Sequence, residues 1–99
     1  MGAEPVRDWF KSMSADDRKV LGADIQTVEF GWPIGMPLCK SLGGGLWEVR
    51  SNITDGPARV IFFLCEGNIV ILNGFVKKTR KTPEAEIELA RKRKKETES

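Results

Sequence analysis

The sequence predicts an α+β domain in which a helical hairpin and a C-terminal helix pack on a small antiparallel β-sheet. Three observations carry this expectation. Apolar residues recur at helical spacing near the N-terminal end, three apolar runs divided by turn signals fill the middle, and a Thr-Pro step opens a charged helical stretch at Thr82-Pro83.

Val6, Trp9, Phe10 and Met13 follow i, i+3, i+4, i+7 spacing, the apolar stripe of a short helix beginning near Pro5. Ser14-Ala15-Asp16-Asp17 has the form of a capping box and opens a second helix. Leu21, Ile25 and Val28 form its inward face, and it is expected to end before Gly31. Residues 31–37 hold two prolines and two glycines, which sustain neither helix nor strand and predict a loop. Gly43-Gly44-Gly45 reads as a second break. Three strands are expected at about 46–51, 58–65 and 69–76, the last two joined tightly at Glu66-Gly67. No parallel crossover fits between them, so the sheet should be an antiparallel meander. The last helix is expected to take Thr82 as N-cap and Pro83 as its first residue. Its acidic first turns and basic end complement the helix dipole.

The 99 residues suit a single domain, 1–99, with about 94–99 frayed at the end. With 40% apolar and 30% charged residues the composition is that of a folded, soluble chain. No apolar run approaches the roughly 20 residues of a membrane helix, and no signal-peptide pattern opens the chain, so a cytoplasmic protein is expected. There is no histidine, and Cys39 and Cys65 lack CxxC spacing, which argues against a zinc site or a histidine-based triad. Both cysteines read as reduced core or near-core residues. Residues 1–48 carry five Lys/Arg against seven Asp/Glu, and residues 49–99 carry eleven against seven, so basic character gathers in the half that holds the strands.

The candidate site lies where the strands end. Lys77, Lys78, Arg80 and Lys81 follow an apolar strand and precede a helix start, an arrangement suited to a phosphate or other anion. If the first two strands pair regularly, Trp47 lies opposite Phe62 and Val49 opposite Val60 on one face. The other face then sets Arg50 against Arg59 with Glu48 alongside. Like charges placed directly opposite are unfavourable to the sheet and favourable to a polyanionic ligand. Glu48, Arg50, Arg59, Lys77 and Lys78 suit metal-free RNA transesterification. A base takes the ribose 2′-OH proton, cations stabilise the phosphate, and an acid protonates the leaving 5′ oxygen. The same residues also fit plainer readings: Glu48 in a cross-strand ion pair, Lys77–Lys81 as a solvated strand end, Phe75 in the core rather than stacked on a base, Arg91–Lys95 as an exposed helix end. Trp9, Trp32 and Trp47 read as packing residues.

Glu4–Trp9, Gly31–Leu38, Gly45–Ser51, Ala58–Phe62 and Leu72–Pro83 together resemble HigB-type toxins of the RelE/ParE superfamily, the toxins of bacterial type II toxin–antitoxin systems. The combination of Leu-Trp-Glu-Val-Arg with Gly-Phe-Val-Lys-Lys-Thr is the specific part of the match. The resemblance implies a single RelE/HigB-like domain that cleaves mRNA on the ribosome without a cofactor or metal. It also implies neutralisation by a HigA-like helix-turn-helix antitoxin. It implies further that Glu48 is the general base, Arg59 a phosphate-stabilising residue and Lys77 a source of the acid. Arg50, Lys78, Arg80, Lys81 and Phe75 would then bind RNA. Two departures stand out: the strand that commonly precedes the helical pair is missing or shortened, and Asn73 stands where relatives often carry histidine. Asparagine is neither acid nor base, which leaves open a catalytically degenerate or phage-derived relative that only binds a partner protein. A ParE-like gyrase poison is the third alternative.

Overall fold

The computed structural model describes residues 4–31, 38–78 and 82–98. The chain runs α1 (Glu4–Lys11), α2 (Ala15–Gly31), β1 (Cys39–Gly43), β2 (Leu46–Ile53), β3 (Gly56–Cys65), β4 (Asn68–Val76) and α3 (Glu84–Glu98). The four strands form one antiparallel sheet in sequence order. The expected α+β class is therefore what the chain adopts, with one strand more than the three expected. Gly31, expected to open a loop over 31–37, is instead the last residue of α2, and residues 32–37, with Trp32, lie outside the described residues.

The additional strand, β1, reads Cys-Lys-Ser-Leu-Gly and holds its place through backbone pairing rather than an apolar pattern. Cys39 pairs with Val49, Lys40 with Glu48 and Ser41 with Trp47. The break expected at Gly43–Gly45 is a hairpin turn, since all three glycines have positive φ, a conformation costly to any side chain.

The β2–β3 register matches the expected one: Trp47 faces Phe62, Val49 faces Val60 and Arg50 faces Arg59. The connection is shorter than the expected Asn52–Ala58 loop, because pairing continues to Ile53 and Gly56. Glu66 and Gly67, both at positive φ, form the tight β3–β4 turn. In β4, Asn73 pairs with Ile61 and Ile71 with Phe62, which leaves Leu72 as the extra residue of a bulge.

Helices cover both faces of the sheet. On one face Leu21 and Val28 of α2 join Cys39, Val49, Ile53, Ala58, Val60 and Phe62, with Trp9, Phe10, Met13 and Ile25 packed against them. On the other face Leu46, Ile61, Phe63 and Leu72 meet Ala90 of α3. Removing these side chains from water, at about 25 cal/mol per Å², is the main force holding the layers together. Cys39 is buried as expected. Cys65, the last residue of β3, is exposed, which corrects the near-core expectation for it.

Ser14 accepts the Asp17 N–H at 3.2 Å, the N-terminal capping bond expected of α2. The Asp17 carboxylate in turn accepts the Thr54 N–H at 2.9 Å and the Thr54 hydroxyl at 2.8 Å, tying the start of α2 to the β2–β3 turn. These bonds, the backbone one first, hold the Asp17 carboxyl below its ordinary value of 3.8. A carboxyl whose pKa is lowered by folding stabilises the fold at higher pH, and that contribution disappears as pH falls through the folded value. Asp17→Asn is therefore expected to lower the melting temperature at neutral pH. The gap from the parent should close on acidification below 3.8, and melting curves across pH check this.

Candidate functional site

The site forms on the α3-facing side of β2 and β3, at the end away from the Glu66-Gly67 turn. Alternation along β2 puts Glu48 and Arg50 on that face, and the register brings Arg59 opposite Arg50. Arg59 Nε lies 3.6 Å from Glu48 Oε1. Both groups are buried, Glu48 at 1% exposure and Arg59 at 6%. An Arg59 guanidinium N–H donates to the Ala58 carbonyl at 2.8 Å, while Arg59 Nε has no hydrogen-bond partner. Burial, followed by the charge of Arg50, holds the Arg59 pKa below its ordinary value, and Glu48 opposes that shift.

Lys77 follows β4 directly, and its N–H donates to the Pro57 carbonyl at 2.6 Å. Its ammonium is pushed below the ordinary lysine value by burial first and then by Arg59, with Arg50 and Lys40 adding smaller repulsions and Glu48 opposing them. Arg50, Arg59, Lys40 and Glu48 all act on the Lys77 ammonium, and Arg59 is paired with the buried Glu48 carboxylate. Lys78 is exposed just beyond this cluster, and Arg80 and Lys81 lie outside the described residues. Phe75 pairs with Arg59 in the ladder and is half-buried against the α3-side core, so part of its ring is committed to packing.

Thr82 and Lys40 join the site although sequence reasoning did not place them there. The Thr82 hydroxyl donates to Glu48 Oε2. It is not used as the expected N-cap: the Pro83 carbonyl accepts the first helical bond, from the Ile87 N–H. Nothing local in Thr-Pro signals a partner 34 residues away in sequence. Lys40 was legible in principle, since a hairpin folded about Gly43–Gly45 puts it beside Glu48. Cys39, next to it, is pushed up to about 11 by burial and by Glu48, so it is a thiol at neutral pH and unsuited to nucleophilic work.

Asn73 is buried in a structural link. Its amide N–H donates to Glu86 at 3.2 Å, and its carbonyl accepts from Arg93 at 3.3 Å. Arg93 also donates to the Leu72 carbonyl at 2.8 Å, so the bulge is stitched to α3. Arg93 and Lys94 are thus half-buried, which corrects the expectation of a wholly exposed Arg91–Lys95 end. The Lys94 ammonium sits 5.4 Å from the centre of the Phe63 ring.

A four-stranded antiparallel sheet with a helical pair on one face and a C-terminal helix on the other is a small RelE-like fold. Residues 8–95 match the model of the phage-derived protein Gp49-like family (DUF891). The chain belongs to that family, a RelE/ParE-like toxin family of toxin–antitoxin systems, in which an antitoxin is the partner. No curated protein matches the chain. No helix among the described residues is long and apolar enough to cross a membrane.

Proposed function

We propose that the protein is the toxin of a type II toxin–antitoxin system of the HigB kind, a ribosome-dependent endonuclease that cleaves mRNA without a metal. The observation that carries this reading is the Glu48–Arg59 pair set within Arg50, Lys77 and Lys40 on one sheet face. Glu48 is the base that takes the ribose 2′-OH proton. The freed 2′ oxygen attacks phosphorus, the bond to the 5′ oxygen breaks, and Lys77 returns a proton to that oxygen. Arg59 and Arg50 stabilise the charge that grows on the phosphate, with Lys78, Arg80, Lys81 and the exposed part of Phe75 guiding the strand. An ammonium already below its ordinary pKa gives up a proton more readily, which suits Lys77 to the acid role. DNA lacks the 2′-OH, so the chemistry is specific to RNA. The Thr82 hydroxyl occupies a donor position on Glu48 that the 2′-OH would take, so substrate entry requires Thr82 to move aside. A HigA-like helix-turn-helix protein is the proposed antitoxin.

A second reading, a relative that only binds its partner, is favoured by the burial of Glu48 and by the structural use of Asn73. Induced expression without antitoxin separates the two. The endonuclease stops growth and translation, and broken mRNA accumulates in a translating extract. A pure binder leaves mRNA whole while still forming a stable complex with the antitoxin. Intact mRNA accompanied by DNA damage would point instead to gyrase poisoning.

A further inference from the structure

We propose that the outer edge of β4 is a pairing surface for a second copy of this chain, the two sheets joining there about a two-fold axis. This concerns the sheet edge and stands apart from the nuclease reading above. β4 is the last strand of the sheet among the described residues. Its nine residues, Asn68–Val76, include no charge and no proline, the usual guards of an exposed edge. Residues 1–3, which lead into α1, extend over at most about 10 Å, against about 24 Å for the stretch from Ile69 to Val76.

Which groups this edge offers follows from the β3–β4 ladder. Glu66 and Gly67 make a two-residue turn, so Cys65 and Asn68 close it with both backbone bonds between them. Bonded and non-bonded pairs then alternate along an antiparallel ladder. Ile69, opposite Leu64, and Ile71, opposite Phe62, therefore turn their N–H and C=O away from β3. From the other end, the Lys77 N–H donates to the Pro57 carbonyl at 2.6 Å, which marks a bonded pair. The same alternation then turns the groups of Val76 and Gly74 outward. The two phases differ by one residue, and Leu72, the extra residue of the bulge, accounts for it. The Leu72 carbonyl is already taken by Arg93 at 2.8 Å.

The outward residues are thus Ile69, Ile71, Gly74 and Val76, spaced by about two, three and two positions where a regular strand repeats every two. A regular strand can match Ile69 and Ile71, or Gly74 and Val76, but never all four. The bulge therefore turns ordinary strands away from the edge. A second β4 running antiparallel presents the same spacing read backwards and matches throughout. Ile69 then faces Val76 of the second copy, and Ile71 faces Gly74. Side chains agree with this pairing. Ile69, Ile71 and Val76 pack toward the α1–α2 core, while Val70 and Phe75 pack toward the α3 core, where they would face each other across the join. All five are half-buried and withdraw further apolar surface from water on pairing. Lys77, the first charge beyond the strand, meets the neutral Asn68. Each contact occurs twice about the axis, so the assembly closes at two copies.

The test is sedimentation of the full chain across about 1–200 µM, joined to hydrogen exchange read amide by amide. A monomer should become a dimer as concentration rises, with exchange at Ile69, Ile71, Gly74 and Val76 slowed at least about tenfold. Val70 and Phe75, bonded to β3 in both states, should not change. Ile69→Pro removes one outward N–H and leaves the β3 ladder whole. Folded, as judged by its melting curve, it should dimerise at least about tenfold more weakly than the parent. A monomer throughout, a dimer whose four outward amides exchange as in the monomer, or a folded Ile69→Pro chain that dimerises undiminished would overturn the proposal. So would protection of the same four amides by the antitoxin with none on self-association, which gives the edge to that partner instead.

Discussion

Expression of an Arg59→Ala variant without antitoxin is expected to leave growth and translation running. Arg59 Nε lies 3.6 Å from Glu48, and its N–H, which no acceptor takes, is preorganised for an anion. Removing one such donor typically costs about 10²–10³ in rate. The substitution also strips a buried carboxylate of its counter-charge, and breaking a buried pair costs on the order of 3–5 kcal/mol of stability. Loss of toxicity could then reflect unfolding, so Arg59→Lys is the sharper variant. Lysine keeps the charge near Glu48 but lacks the planar fork that grips phosphate. A folded Arg59→Lys protein, judged by its melting curve, should cleave mRNA at least about tenfold more slowly than the parent. A folded alanine variant as toxic as the parent would remove Arg59 from the mechanism.

The part of this site legible in the sequence is the part set by alternation along strands. Alternation puts Trp47, Val49, Val60 and Phe62 on a core face, and regular pairing through the β2–β3 turn then sets Arg50 against Arg59. β1 was not legible, because Cys39–Gly43 is a short edge strand held by backbone bonds, with Lys40 and Ser41 exposed. The burial of Glu48 was not legible either. It depends on α3 packing on that face and on a hydroxyl supplied by Thr82, neither of which leaves a local periodic trace. Asn73 shows a third kind of limit. Simple alternation places consecutive residues on opposite faces, yet the bulge at Leu72 turns both Leu72 and Asn73 toward α3. A residue marked as a lost catalytic group from its position in a motif thus has a packing role that only the bulge explains.

Gly74→Ala is expected to destabilise the protein although alanine is the better strand residue. A Cβ at position 74 would stand 2.6 Å from Cε3 and 3.2 Å from Cη2 of Trp9, and would penetrate Cζ3 as well. The indole of Trp9 packs on the bare backbone of β4 at Gly74, an approach that only glycine permits. The clash is with a rigid ring rather than the end of a flexible chain, so either α1 lifts or β4 shifts. Overpacking of this kind costs about 1–3 kcal/mol, while relief from glycine's backbone entropy returns about 0.5–1 kcal/mol. Steric cost wins, and for a 99-residue domain a loss of that size lowers the melting temperature by several degrees. A double-mutant cycle isolates the cause. In a Trp9→Leu background the ring is gone, so adding Gly74→Ala should be neutral or slightly stabilising. If the same penalty persists without the indole, the glycine is needed for the backbone of β4 itself and the account of the α1–β4 contact fails. The outcome also bears on function, because Phe75, the next residue, pairs with Arg59. A shift of β4 away from Trp9 would move the site's wall, so the single variant should lose mRNA cleavage beyond its loss of stability, and Trp9→Leu should restore part of it.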